Sequence, residues 1–206
     1  APIAGVAQPK RINGLTNINV TLTNDPSIAN IVATIAQTGT GKVTATAPST
    51  STALANYSAI SGTGHSITIP TLVDDSLANA AAAAALVALD AATTETITFD
   101  PATATLASPA IVATTYANAI SILSSSGISG FGSATVGVNE NITVAQANIL
   151  NGKTSGAITA TISDNGASTL AGLAANSGTT ANAYTTTIGD TVVTAADLKA
   201  IDAATS

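Results

Sequence analysis

The chain has 206 residues, of which 44 are Ala and 35 are Thr, and it contains no Cys, Met or Trp. Only 8% of the residues are charged and the net charge is -6, which excludes the basic surface that a nucleic-acid-binding protein uses to displace counterions. The lack of Cys excludes disulfide scaffolds and thiolate metal sites.

A hydrophobic content of 46% with few charges predicts a folded chain. Because nearly half of the apolar residues are Ala, its backbone layers are expected to pack closely. The best membrane candidate, Leu77 to Leu89, has 13 residues, short of the roughly 20 that a bilayer requires, so no membrane span is predicted. Ala1-Pro2-Ile3 opens the sequence without a signal-peptide pattern, and we expect a processed chain or a piece of a longer one.

Alternating apolar and Thr residues predict strands, because successive side chains of a strand point to opposite faces. In Ile158-Thr-Ala-Thr-Ile162, the Ile and Ala side chains are predicted to face one way and the two Thr the other. Predicted strands begin near Ile18, Val43, Ile67, Glu95, Val136, Ile158 and Tyr184.

Capping signals predict short helices between these strands. The predicted N-terminal signals are Asp25-Pro26, Asp74 or Asp75 before an Ala-rich helix from Ser76 to Ala92, Ser108-Pro109, and Thr194 with Asp197. A glycine is expected just past a helix, and the candidates are Gly39, Gly62, Gly127 and Gly178.

The sequence also repeats itself. Four blocks recur in the same order at offsets of 112 to 119 residues: 42–47 with 157–162, 51–55 with 167–172, 66–69 with 183–188, and 89–93 with 201–205. We therefore predict an N-terminal arm over 1–15, a first repeat block over 16–126 and a second, truncated block over 127–206.

Strands joined by short helices predict an α/β fold, a right-handed solenoid of βα units with a parallel sheet. An all-β sandwich is the alternative, although it leaves the Ala-rich segments unexplained. An α/β solenoid exposes its end faces unless they are capped. The expected partners are therefore copies of the chain joined head to tail, or adjoining repeats.

Two glycine-rich segments resemble nucleotide loops only superficially. Gly39-Thr-Gly-Lys42 has Ala36 and Val43 where a phosphate loop requires Gly and Ser or Thr, so it is interpreted as a turn. Gly127, Gly130 and Gly132 are spaced in the reverse order to a dinucleotide fingerprint and are interpreted as a flexible bend.

The chain offers few groups for catalysis. His65, the only His, precedes Ser66, but neighbouring strand residues point to opposite faces, so we interpret His65 as a polar loop residue and predict no catalytic residues. An enzyme would have to rely on His65 and Asp74. No cofactor is predicted, and no enzyme activity.

Calcium is the one cofactor left open, with oxygen ligands from Asp74-Asp75, Asp164-Asn165-Gly166 and Asp190. No loop holds more than two carboxylates together, whereas calcium takes six to eight oxygens, so turn and cap roles are favoured. The glycosylation triplets at Asn19, Asn56 and Asn141 are near chance in a chain so rich in Thr and Ser.

Pairs of Thr are predicted to form solvent-facing rows on stacked strands. The pairs are Thr21 with Thr23, Thr44 with Thr46, Thr96 with Thr98, Thr159 with Thr161, and Thr185 with Thr187. Such rows are a feature of ice-binding solenoids, which makes ice binding one alternative function, although the unequal strand spacing disfavours a flat plane.

Three segments of the second block, 141–150, 154–162 and 193–202, resemble the degenerate repeats of very large Cys-free bacterial surface proteins, particularly those of cyanobacteria. The resemblance implies a cell-surface, surface-layer or adhesin-like role in an extracellular setting. We therefore expect a structural repeat protein that self-assembles or belongs to a larger array or filament. A glycan-binding fibre or adhesin module is the other alternative.

Overall fold

The computed structural model describes residues 17–50, 52–73, 76–77, 80–99 and 110–205. These residues form two compact units that alternate along the chain. Unit 1 contains the described residues of 1–73, 85–100 and 126–129, and unit 2 contains those of 74–84, 101–125 and 130–206. The predicted arm over 1–15 lies outside the described residues. The predicted repeat blocks concern sequence similarity rather than compactness, so their boundaries stay a prediction.

The strands are β1 (Val20–Thr21), β2 (Val43–Thr46), β3 (Ser66–Thr68), β4 (Ser76–Leu77), β5 (Ile97–Thr98), β6 (Ala110–Thr114), β7 (Ile128–Ser129), β8 (Thr135–Ile142), β9 (Ile158–Ile162) and β10 (Ala183–Thr185). The helices are α1 (Ile28–Thr38), α2 (Ala80–Ala92), α3 (Tyr116–Ser124), α4 (Val144–Asn151), α5 (Ala167–Leu170) and α6 (Ala195–Ala204), with a 3-10 turn over Leu54–Tyr57.

In unit 1 the strands pair in parallel and in chain order. β2 lies between β1 and β3, with Val20 opposite Val43 and Ala45 opposite Ile67. β5 pairs with β7, and parallel bridges join His65 to Thr93 and Leu72 to Phe99. Within each of these two sheets, strands that follow one another in the unit lie side by side, as expected when short connections join parallel strands.

Unit 2 has one parallel sheet in the order β4-β6-β8-β9-β10, which is again chain order. Helices α3 to α6 follow β6, β8, β9 and β10 in turn. The predicted α/β class with parallel sheets is confirmed. The all-β sandwich is wrong, because helices connect these parallel strands.

Alternation along the strands forms the core. In β9, Ile158, Ala160 and Ile162 are buried and both Thr are exposed, as predicted. Ile111 and Val136, opposite each other in β6 and β8, are also fully buried. In β2 and β9 the apolar side thus faces inward and the Thr side faces solvent, whereas in β6 Val112 is 43% exposed and Thr114 is fully buried.

The first helix begins later than predicted. Its N-cap is Ser27, whose Oγ accepts from Asn30 N at 3.2 Å. Asp25 instead has φ 53°, outside the extended conformation of an N-cap residue, so the predicted Asp25-Pro26 signal is wrong. Thr194 caps α6 as predicted and accepts from Asp197 N at 3.1 Å.

The Ala-rich helix is also shorter than predicted. It covers Ala80–Ala92, and Ser76–Leu77 is a strand that pairs with β6. Leu77 is 1% exposed, and we attribute the change from helix to strand to sheet pairing and burial, which override local propensity. Asp74 and Asp75 lie outside the described residues.

Two further segments form strands where none was predicted. Ser108 and Pro109 lie outside the described residues; the helix that they were expected to start begins later, at Tyr116 with Thr115 as its N-cap, because 110–114 is β6. Its β-branched residues pair with β4 on one side and β8 on the other. The expected bend around Gly127 contains β7, which pairs with β5.

Of the predicted helix-ending glycines, only Gly39 directly follows a helix, with φ 61°. Helix α3 ends with Ser125 as its C-cap, in extended backbone, so Gly127 is not the terminator. Gly62 and Gly178 lie in loops several residues beyond the preceding helical turn.

Candidate functional site

A polar side chain just before a strand bonds to the first residue of the preceding strand, once in each unit. In unit 1, Val43 N donates to His65 Nδ1 at 3.1 Å. In unit 2, Ile158 N donates to Asn182 Oδ1 at 2.9 Å. The sequence repeat aligns Val43 with Ile158. His65 and Asn182 are therefore equivalent, because each accepts a hydrogen bond from the first N–H of the preceding strand, one with a ring nitrogen and the other with an amide oxygen.

A threonine after a helix makes the next matching pair of bonds. Thr93 Oγ1 accepts from Ile67 N at 3.1 Å and donates to Ile67 O at 3.0 Å. Thr205 Oγ1 accepts from Tyr184 N at 3.0 Å and donates to Tyr184 O at 3.3 Å. Both Thr residues end the block that repeats at 89–93 and 201–205, which gives this sequence repeat a structural meaning.

Close backbone approach is the third repeated feature. Gly41 lies on the backbone of Ile18 so tightly that an added Cβ would overlap the Ile18 carbonyl. Gly156 lies on the Ala134 carbonyl in the same way. At both positions the absent side chain lets successive turns of the chain stack directly.

Carboxylates in unit 2 satisfy helix N-termini from the following turn. Asp164 Oδ2 accepts from Val144 N at 2.7 Å, and Asp190 Oδ2 accepts from Ala167 N at 2.6 Å. Glu140 Oε1 accepts from Tyr116 N at 2.8 Å in the same manner. A negative charge is favourable at a helix N-terminus, and each bond ties a βα unit to the one that follows it.

These caps explain two of the residues that the sequence offered as calcium ligands, since Asp164 and Asp190 each hold a helix start. Among the described residues, no three His, Asp or Glu side chains are grouped so that they could hold a metal ion. Asp74 and Asp75 lie outside those residues.

His65 is buried rather than a polar loop residue, with 3% of its surface exposed. The expectation failed because His65 immediately precedes β3 and forms a parallel bridge with Thr93, so it belongs to the paired part of the chain and not to a loop. Burial lowers the pKa of His65, the Ser61 carbonyl opposes that effect, and the Lys42 charge adds to it. Nδ1 accepts a backbone N–H, so the neutral ring carries its proton on Nε2.

Ser66 does not pair with His65. Its hydroxyl donates to Glu95 Oε1 at 2.6 Å, and the alternation of strand side chains holds it on the other face. Ser66 and His65, although adjacent in the sequence, are therefore not a nucleophile and its base.

A cavity of about 460 Å³ lies beside His65, and the Gly39–Lys42 turn forms one wall. The opposite wall is the loop of Ser61, Gly62 and Thr63. Lys42 Nζ donates to the Thr63 carbonyl across it. Strand β2 follows Lys42 directly, as the turn interpretation predicted, so this segment is no phosphate loop.

The predicted Thr rows are partly present. Thr44 lies opposite both Thr21 and Ser66, and Thr46 lies opposite Thr68. In unit 2, Thr161 lies opposite Thr185, but Thr159 faces Ala183 on one side and Gly137 on the other. The rows are solvent-exposed and short, with small residues interrupting them.

The last helix of unit 2 displays apolar side chains to solvent. Val192, just before α6, is 85% exposed, and Leu198 on α6 is 48% exposed. Strand β10 pairs with β9, and in the described part of the chain Thr205 is the only group bonded to Tyr184 on its other edge. Thr205 thus covers the outer edge of β10 at Tyr184, and exposed apolar side chains lie just before α6 and on it.

None of the helices in the described part of the chain has the length and apolar character that crossing a membrane requires. Comparison with family models, with curated proteins and with solved structures finds no match to this chain.

Proposed function

We propose that this chain is a structural repeat protein of the cell surface or extracellular space. Its βα units stack as right-handed solenoids, and copies of the chain join head to tail. In this proposal the chain has no enzyme activity, and its function lies in the surface that its assembled copies form.

The observation that carries the proposal is that each βα unit is held by hydrogen bonds to the βα unit that follows it along the chain. Carboxylates at 140, 164 and 190 each bond to the preceding helix start. Strand-edge bonds from His65 and Asn182 likewise reach back by one strand. A protein built in this way has a self-complementary stacking direction.

The exposed end of unit 2 supports a head-to-tail contact. β10 is the last strand of its sheet and β1 is the first of its own, so a head-to-tail contact between two copies brings these two edges together, with Thr205 covering Tyr184 at the edge of β10. Val192 and Leu198 supply exposed apolar area just before and on α6, the helix that follows β10. A non-closing contact of this type generates a filament.

Composition supports the setting. A Cys-free chain with 8% charged residues has a surface of Thr, Ser, Asn and Ala that favours packing against its own kind. The resemblance of 141–150, 154–162 and 193–202 to bacterial surface repeats points the same way. Surface glycans are a further class of partner for such a protein.

The test is sedimentation and negative-stain microscopy of the chain over a range of concentrations. We expect species larger than the monomer that grow with concentration. The double variant Val192→Lys with Leu198→Lys should weaken assembly by at least about tenfold, because two charges enter an apolar contact. Ile149→Lys, on α4 and equally exposed at 48%, is the matched control and should assemble like the wild type.

A wild-type chain that stays monomeric at the highest attainable concentration would contradict the proposal. Equal loss of assembly in the control variant would move the contact away from α6.

A further inference from the structure

The dipeptide Asn-Gly occurs in two different settings within the described part of unit 2. Asn151-Gly152 ends helix α4, and Asn165-Gly166 lies between β9 and α5. A third pair, Asn13-Gly14, lies outside the described residues. The dipeptide matters chemically because a glycine, which has no Cβ, lets its backbone nitrogen approach the side-chain amide carbon of the preceding Asn. That approach is the first step in the loss of the amide group.

The Asn151-Gly152 pair is held in place by three hydrogen bonds. Asn151 Nδ2 donates to Ala175 O at 3.0 Å, and Asn151 Oδ1 accepts from Asn182 Nδ2 at 3.0 Å. Gly152 N donates to Asn148 O at 3.1 Å. Both the side-chain amide and the backbone nitrogen are thus fixed, and these bonds must break before the nitrogen can turn toward the amide carbon.

The Asn165-Gly166 pair is held by a single hydrogen bond. Asn165 is exposed, and neither its side-chain amide nor Gly166 N is hydrogen-bonded to any residue of the described part of the chain. Asn165 O accepts from Gly189 N at 2.8 Å. The amide lies next to Gly189, which has no side chain to enclose it. Rotation about the Cα–Cβ and Cα–C bonds of Asn165 therefore brings Gly166 N to the amide carbon with the loss of that one bond.

We propose that Asn165 is a modification site, at which the chain converts its own asparagine to isoaspartate. Gly166 N loses its proton to solvent and attacks Asn165 Cγ. A C–N bond forms, the amide nitrogen takes up a proton and leaves as ammonia, and a five-membered succinimide ring remains. Water then opens the ring. If the bond from Gly166 N to the main-chain carbonyl carbon breaks, the chain runs through Cγ as isoaspartate, and if the new bond breaks, the product is aspartate.

The position of Asn165 gives the isoaspartate product a structural effect. Asp164, on one side, accepts from Val144 N at 2.7 Å, and Ala167, on the other, donates to Asp190 Oδ2 at 2.6 Å. Isoaspartate adds one methylene to the main chain between these two bonds and so changes their spacing. Each bond joins a βα unit to the one that follows, so the modification loosens the stacking of unit 2. This inference is independent of the assembly proposed above.

The experiment incubates the whole chain in mildly alkaline buffer and follows both asparagines by mass spectrometry. Cleavage after Lys153 puts Asn151 and Asn165 on separate peptides, and electron-transfer fragmentation distinguishes isoaspartate from aspartate. We expect Asn165 to convert at least about tenfold faster than Asn151 in the folded chain, because fewer hydrogen bonds have to break. In urea, where the unfolded chain has lost these bonds, the two rates should become similar.

Gly166→Ala is the decisive variant, because a Cβ crowds the attacking nitrogen without disturbing the fold. That Cβ would lie 3.6 Å from Thr169 Oγ1 and 4.0 Å from Asp190 Oδ2, which are ordinary contacts, and Gly166 has φ -78°. The variant should slow the conversion of Asn165 by at least about tenfold. Gly152→Ala is the matched control; its Cβ also has only ordinary contacts, and it should leave the rate at Asn165 unchanged.

Hydrogen exchange at the Val144 and Ala167 amides tests the structural effect. Both amides should lose protection in proportion to the isoaspartate formed. Asn165→Asp carries the charge of the product on a normal main chain, and it should keep both amides protected. This variant therefore separates the added methylene from the added charge.

The proposal is wrong if the two asparagines convert at the same rate in the folded chain. It is also wrong if Asn165 of the folded chain stays unchanged for as long as the chain in urea takes to convert. Isoaspartate at position 165 with Val144 and Ala167 still protected would overturn the effect on the two caps.

Discussion

Units 1 and 2 use different residues to bond the first backbone N–H of a strand. Both supply a side-chain acceptor to the first N–H of a strand, His65 in one and Asn182 in the other. In unit 2 the amide partner is itself bonded, to Asn151, whereas in unit 1 the second ring nitrogen is buried against Gly62 and makes no well-formed hydrogen bond to a described residue. The comparison teaches that the fold requires an acceptor at this position, and that the group behind the acceptor can vary.

The largest expected effect comes from the threonine that follows a helix. Thr93 Oγ1 accepts from both Ile67 N and Glu95 N and is 7% exposed. Thr93→Val keeps the shape of the side chain but leaves these two N–H donors unpaired. It should lower the free energy of unfolding by about 3 kcal/mol. The measurement is hydrogen exchange at the Ile67 amide, which should lose protection.

Thr205→Val is the matched variant in unit 2. Thr205 is only half-buried at the sheet edge, so water can replace its bonds and the expected loss is about 1 kcal/mol. If both variants lower the free energy of unfolding equally, the greater burial of Thr93 does not make its hydrogen bonds more important than those of Thr205.

An intermediate effect is expected from His65 and from acid. His65→Ala leaves Val43 N without its acceptor and should cost about 1–2 kcal/mol, while His65→Asn imitates unit 2 and should cost less. The folded pKa of His65 is lowered, so the unfolded chain binds the extra proton first. Unit 1 should therefore lose stability as the pH falls below about 6.5.

Hydrogen exchange at the Val43 and Ile158 amides, measured from pH 7.5 to 5, separates the two units after correction for intrinsic exchange rates. Val43 should become less protected in acid than Ile158, and His65→Asn should remove the difference. If the difference persists in His65→Asn, the pH dependence has another origin.

The smallest effect is expected for the carboxylate caps of unit 2. Asp164→Ala removes the acceptor of Val144 N and should cost about 1 kcal/mol in urea unfolding. Asp202→Ala is the control, because Asp202 is exposed near the C-terminus of α6, where a negative charge is unfavourable. A control as destabilising as Asp164→Ala would mean that overall charge and not capping is responsible.

Much of the strand pattern could be predicted, because β2 and β9 alternate apolar and Thr residues and such alternation survives in a half-exposed sheet. The cap at Thr194 was predictable for a local reason, since its bond spans three residues. The two-residue strands β4 and β7 carry no period of their own, and their extended form depends on distant partners.

The bonds of the site were predictable only in part. The repeated blocks already aligned Thr93 with Thr205, and that alignment could have marked both as structural. His65 and Asn182 share no chemistry in sequence, so their equivalence emerges only when both are found beside a strand start.

The sequence by itself determined the alternating faces, the α/β class and the internal repeat, because these depend on side-chain type at short, regular spacing. Only the tertiary structure decided that Asp164 and Asp190 cap helices, that His65 is buried, and that Ala36 and Gly62 leave a cavity beside it. These features join residues about 20 to 30 positions apart, and the stacking of successive units, rather than local preference, sets those distances.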